Sequence, residues 1–200
     1  MMQRYDYLKA IAGDVGDALV VSAGWAAREW QALRSGDGNF RPRTLGLASS
    51  IALGIALGLP RRKVIVIDGD GAFLMNLCGL QTIAWQNPPN LIHLLFDNQC
   101  YEASGATETA TVMGADAVAL VKGAGYKHAC WVKSPKGFRE EFLKAWKRNK
   151  ISFIAARVEQ GQPALPPIRV DELENKYRFI RHIEATEKKG ILGPSDHRRR

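Results

Sequence analysis

The chain has 200 residues, 46% hydrophobic and 24% charged, the composition of a globular protein with enough length for one sizeable core. Its three cysteines, Cys78, Cys100 and Cys130, are too few and too dispersed for a disulfide framework or a zinc spacing, so a reducing compartment is expected. The net charge of +8 is concentrated partly in Arg61-Arg62-Lys63 and Arg198-Arg199-Arg200, and no helical pattern gathers basic residues on one face, so nucleic acid is not an expected partner. Residues 1–7 lack the apolar core of a signal peptide. The longest apolar stretch, 45–59, is too short and glycine-rich to span a bilayer. The expected setting is the cytoplasm, without a membrane.

Helical and strand patterns alternate along the chain. Residues 5–12 read as helix, 18–22 as strand, 26–33 as helix and 35–43 as a polar loop. A helix over 48–57 precedes the β-branched run 64–68, which has the continuous apolar character of a buried parallel strand. Residues 72–85 place Phe73, Leu74, Leu77, Leu80, Ile83 and Ala84 at helical spacings, and 91–96 read as the next strand. Residues 98–111, polar and small, form a loop expected to lie over the strand ends. A helix over 116–123, a strand over 126–132, a helix over 135–148 and a last strand over 151–158 follow. The proline-rich segment 161–167 breaks the pattern before a charged, partly helical stretch. This alternation predicts an α/β fold, a three-layer sandwich with a mainly parallel sheet and helices on both faces. One domain is expected over 1–185, with a flexible basic tail over 186–200.

The chemistry gathers where two adjacent strand patterns end. Gly69-Asp70-Gly71 closes the first, and Asp97-Asn98 closes the second, with 26 residues between Gly71 and Asn98. Ligands of open α/β sheets bind outside the carboxyl ends of strands. Glycines allow close backbone approach, and the helix that follows Gly71 would aim amides at an anion. A carboxylate, a carboxamide and a backbone carbonyl make an oxygen set suited to magnesium beside a phosphate. Alone, Gly-Asp-Gly is an ordinary tight turn. It is not a dinucleotide fingerprint, because Leu74 stands where the third glycine would be, and no Walker-type loop occurs. His93, inside a strand pattern, reads as a core histidine, and most of the five tryptophans read as packing residues. The Cys100 thiol has no basic neighbour in sequence and reads as structural. Glu102 and Ser104, just beyond the second strand end, are pocket candidates, with a solvated loop as the equal alternative.

The stretch from Gly69 to Leu77, continued by Phe96-Asp97-Asn98-Gln99-Cys100-Tyr101, resembles the signature of thiamine diphosphate-dependent enzymes. Asp97 replaces the first of the signature's two asparagines, as in the sulfopyruvate and phosphonopyruvate decarboxylase branch. Arg28-Glu29, Asn39-Phe40, the segment 46–54 and the segment 101–105 are also similar to that branch, and the resemblance covers roughly residues 15–160. It implies Asp70 and Asn98 as side-chain ligands of magnesium and the Cys100 carbonyl as a backbone ligand. Gly69, Gly71 and Ala72 would meet the diphosphate. Leu45 would prop the bent cofactor, followed by Gly46. Arg43 stands where the family usually has glycine, and is the arginine expected to reach a distal anion of the substrate.

The resemblance further implies a separate pyrimidine-binding subunit that supplies the activating glutamate, hence a hetero-oligomer. The implied reaction is decarboxylation of a small anionic 2-oxo acid, in which the thiazolium accepts electrons as carbon dioxide leaves. A subunit of a carboligase or of a 2-oxo acid oxidoreductase, or a non-catalytic cofactor-binding protein, stays open at this point. The oxidoreductase normally goes with iron–sulfur centres, for which the chain has no cysteine cluster.

Overall fold

The computed structural model describes residues 2–188, 190 and 191. Six parallel strands form its main sheet in the order β2–β1–β3–β4–β8–β7. Three of them make its centre: β3 (Val64–Gly69), β4 (Leu91–Asp97) and β8 (Ser152–Arg157). The β-branched and apolar runs that announced these strands are buried almost throughout, as both faces of a parallel sheet require. β1 (Leu19–Ser22) and the two-residue β2 (Asn39–Phe40) extend the sheet on one side, and β7 (Ala129–Val132) ends it on the other.

Side-chain alternation sorts the core into two layers. Ile65 and Ile67 of β3 face Tyr7, Trp30, Phe96, Phe138 and Phe142, beneath α1 (Arg4–Ile11), α2 (Gly24–Leu33) and α7 (Pro135–Arg148). Val64 and Val66 face the opposite layer with Ala52, Phe73, Ile83, Val121 and Phe153, beneath α3 (Ala48–Gly58), α5 (Cys78–Gln86) and α6 (Ala117–Ala124). The three-layer α/β sandwich expected from the sequence is the one observed. A smaller cluster joins α8 (Glu172–Glu187) to the β1–β2 edge, where Phe179 stacks on Phe40 at 5.2 Å. α8 runs two residues past the expected boundary at 185, and most of the expected tail, residues 189 and 192–200, lies outside the described residues.

Three local departures bear on the site. The single helix expected over 72–85 is two, α4 (Asp70–Leu74) and α5, because Asn76 leaves the helical ladder. Its Nδ2 donates to the Gly46 carbonyl at 2.8 Å and to Ser50 Oγ at 3.0 Å, tying the Leu45-Gly46 turn to the Gly-Asp-Gly turn. The loop over 98–111 carries a small antiparallel pair, β5 (Cys100–Tyr101) and β6 (Thr107–Glu108), around a 3₁₀ turn at Glu102–Ser104. The polar loop over 35–43 contains β2, too short for a period-two pattern to register.

The chain moves outward from β1 to β2 and then crosses back, through α3, to β3 on the other side of β1. This reversal opens a crevice beyond the carboxyl ends of β1 and β3, where such folds hold ligands.

Candidate functional site

The crevice is walled by Gly24 and Trp25 after β1, by Leu45, by residues 69–72 after β3, and by Asn98 and residues 100–104 after β4, with Arg4 entering from α1. The strand ends thus bring together Leu45, Gly69, Asp70, Gly71, Ala72, Asn98, Cys100, Glu102 and Ser104. Gly46 sits directly behind them. Its φ of +82° favours glycine, and a Cβ there would stand 3.1 Å from Met75 Cβ. At Gly71 the reason is contact: a Cβ would lie 2.5 Å from the Tyr101 ring.

Asp70 opens α4 and is 1% exposed. Its Oδ2 accepts from Thr109 Oγ1 at 2.6 Å and lies 3.4 Å from Thr111 Oγ1. Its Oδ1 is buried and has no hydrogen-bond partner. Burial raises the pKa of the Asp70 carboxyl, and the charge of Asp97 adds to the rise, further than the Thr109 hydroxyl and the backbone N–H groups of Asn98 and Asp70 itself draw it down. Asn98 is buried as well. Its Oδ1 accepts from the Cys100 N–H at 3.1 Å and its Nδ2 donates to Glu102 Oε2 at 3.1 Å.

Asp97 turns away from the crevice. Its Oδ1 accepts from the Gln99 N–H at 3.0 Å and from Thr111 Oγ1 at 2.9 Å, and its Oδ2 lies 3.4 Å from Arg157 Nε. Thr109 and Thr111, 2.8 Å apart at their hydroxyls, therefore bridge the two carboxylates and keep them from meeting directly. Arg4 makes a two-pronged ion pair with the fully buried Glu29, at 2.8 and 2.9 Å, and stands 4.0 Å from Glu102.

Arg43 does not join the site. Its side chain is 83% exposed and pairs with Glu172 of α8 at 3.7 Å. The residue holds the backbone turn before Leu45, while its long side chain follows the field of the acidic first turn of α8. The Cys100 thiol is buried, and burial, then the charges of Glu102 and Asp70, push it up, so it stays a neutral thiol. His93 is fully buried, with Nε2 3.0 Å from Asp68 Oδ2. Of the tryptophans, Trp30 is core, Trp25 borders the crevice, and Trp85 is 82% exposed. Sequence reasoning missed Arg4, Thr109 and Thr111, and Glu29 and Asn76 stand within the resembling segments without an assigned role. The strand there ends at Glu108, and Thr109 and Thr111 are buried beyond it while Thr107 is exposed, so the alternation of threonines at 107, 109 and 111 does not single them out.

Among the described residues no group of three or more His, Cys, Asp or Glu side chains could hold a metal. The oxygen donors of the residues that line the crevice are of another kind: Asp70, whose buried Oδ1 has no hydrogen-bond partner, and the Asn98 carboxamide. A hard cation that keeps part of its shell for phosphate oxygens and water fits that set.

Fold and crevice define an α/β protein that offers oxygen ligands and glycine-lined backbone at the carboxyl end of a parallel sheet. The family described as "Thiamine pyrophosphate enzyme, C-terminal TPP binding domain" matches residues 21–156, and the chain belongs to it. It is 35% identical over 187 residues to the protein named sulfopyruvate decarboxylase subunit beta of Methanocaldococcus jannaschii, covering 92% of this chain and 98% of that one. It is 38% identical over 116 residues to the phosphonopyruvate decarboxylase of Streptomyces hygroscopicus, covering 56% of this chain and 28% of that one. The crystal structure of benzoylformate decarboxylase from Polynucleobacter necessarius superposes with a TM-score of 0.67 at 20% identity, over 83% of this chain and 34% of that one. The chain thus spans nearly the whole of the first relative and about a third of the other two.

Proposed function

We propose that this chain is the diphosphate-binding subunit of a magnesium-dependent 2-oxo acid decarboxylase, completed by a separate pyrimidine-binding subunit, in the cytoplasm. The observation that carries the reading is the position of Asp70 and Asn98, both lining the crevice beyond the strand ends in a chain of this family, with one Asp70 oxygen left unpartnered. Asp70, Asn98 and the Cys100 carbonyl would hold magnesium, and Gly69, Gly71 and Ala72 would face the diphosphate. Leu45, half-buried in the crevice wall, would support the cofactor's bend. Thiamine diphosphate, when bound, supplies the electron sink that decarboxylation of a 2-oxo acid requires. The work left to this chain is to bind, orient and neutralise.

A partner is supported by the relative named a beta subunit, which this chain matches along almost its full length. In the longer phosphonopyruvate decarboxylase the matching region is 28% of the chain. The substrate class follows from the same two names: a short 2-oxo acid with a distal sulfonate or phosphonate, sulfopyruvate first. Among the described residues that line the crevice, Arg4 is the one lysine or arginine, and Glu29 and Glu102 already share it. With Arg43 turned outward, the cation for the distal group falls to the partner.

The test is to express the chain with a candidate partner subunit and screen 2-oxo acids for carbon dioxide release. The mixture is expected to decarboxylate sulfopyruvate in preference to pyruvate, and either subunit alone is expected to be inactive. Turnover by this chain alone, or a preference for uncharged 2-oxo acids, would contradict the reading.

A further inference from the structure

Glu102 was a pocket candidate from sequence, but its contacts point elsewhere. Its Oε2 accepts from Asn98 Nδ2 at 3.1 Å and its Oε1 accepts from the Gly161 N–H. Arg4 Nη2 lies 4.0 Å from the same Oε2, and Arg4 is itself clamped by Glu29, which is fully buried. Three segments far apart in sequence therefore converge on one carboxylate: α1 with α2, the turn after β4, and the chain leaving β8.

A carboxamide can present oxygen or nitrogen to a cation, and only oxygen ligates magnesium. At Asn98 both ends are specified. The Cys100 N–H requires an acceptor and receives Oδ1, while Glu102 requires a donor and receives Nδ2. The carboxylate also draws density from the N–H toward Oδ1 through the amide, which strengthens the oxygen as a ligand. Without Glu102, Nδ2 would lose its acceptor, and the Cys100 N–H alone would hold the amide about its last torsion, a broad one.

We infer that Glu102 is a positioning residue of the metal site, acting through Asn98, with Arg4 and Glu29 holding it in place. The inference rests on the metal site proposed above. It assigns Glu102 a role in neither bond-making nor proton transfer.

The experiment is a set of titrations of the full chain with thiamine diphosphate at saturating magnesium, paired with Mn²⁺ binding followed by electron paramagnetic resonance. Glu102→Ala is expected to weaken both by about tenfold or more, the usual cost of losing a partner that orients a ligand. Glu102→Gln keeps an acceptor for Asn98 and is expected to recover most of the affinity. In an Asn98→Ala background, Glu102→Ala is expected to cost nothing further, because the residue through which it acts is gone. A purely structural role through Gly161 would instead lower the thermal midpoint equally in both backgrounds and leave affinity untouched. Unchanged affinity in Glu102→Ala, or costs that add in the double variant, would overturn the proposal while leaving the metal site standing. Absence of metal-dependent binding in the wild-type chain would overturn both.

Discussion

Asp68 and Asp70 stand two residues apart at the end of β3, and the regions around them complete a carboxylate in opposite ways. Asp68 follows the strand alternation of Val64 and Val66 into the core. There its Oδ2 meets His93 Nε2, among the rings of Phe73, Phe153 and Tyr126. Continued alternation would send Asp70 the same way, but the strand ends at Gly69 and a helix begins at Asp70, which turns the side chain into the crevice. Both carboxylates are buried, and both keep one oxygen without a protein partner. Burial and an unpaired oxygen therefore do not by themselves mark a ligand site. The two differ in position: Asp70 borders the crevice that Asn98 also lines, whereas Asp68 lies among aromatic side chains, where the Tyr126 hydroxyl is pushed up by burial and then by the charge of Asp68.

The contrast is broken most severely at Asp70. Asp70→Ala should weaken magnesium-dependent thiamine diphosphate binding by more than about a hundredfold, beyond the range for residues that merely orient a ligand. The thermal midpoint of the unliganded protein should not fall, because the Thr109 hydroxyl that loses its acceptor can donate to Thr111 Oγ1, 2.8 Å away, and a buried, incompletely paired carboxylate is removed. Calorimetry and a melting curve on the same sample check both halves.

Asp68→Ala should show the reverse pattern. It leaves the His93 ring buried without its partner, at a cost of about 1–3 kcal/mol, to be read from urea unfolding, while cofactor affinity changes far less. Gly71→Ala tests the crevice floor. A Cβ 2.5 Å from the Tyr101 ring forces that ring to move, at a cost of about 1–3 kcal/mol. Tyr101→Ala combined with it should remove most of this strain, again measured by unfolding. Arg43→Ala should do least: its exposed pair with Glu172 predicts no measurable change in cofactor affinity or melting temperature.

What could be read in advance follows the same division. The parallel sheet was legible because β3, β4 and β8 are continuous apolar runs, and the crevice because Gly-Asp-Gly and Asp-Asn end adjacent strands. The break at Asn76 was not, since Leu77 and Leu80 keep the helical spacing while the backbone tightens to i→i−3 bonds there and the Asn76 carboxamide reaches Gly46 and Ser50, distant in sequence. Thr109 and Thr111 were hidden in a loop whose small polar residues look alike until two of them are buried against Asp70 and Asp97. Arg43 shows the limit of reasoning by position: the backbone lies beside the proposed cofactor prop, yet the side chain is free to answer an acidic helix start 129 residues further on. Arg4 and Glu29 are 25 residues apart, and no local pattern couples α1 to α2 through a buried ion pair.

Trp25, at the crevice wall, offers a direct reporter for the central claim that this crevice binds thiamine diphosphate through a metal held at Asp70. The decisive measurement is a tryptophan-fluorescence titration of the full chain with thiamine diphosphate, in magnesium and in excess chelator, confirmed by calorimetry. Saturable binding that requires magnesium and disappears in Asp70→Asn is the predicted result. Binding that ignores the chelator, or survives unchanged in Asp70→Asn, would contradict it.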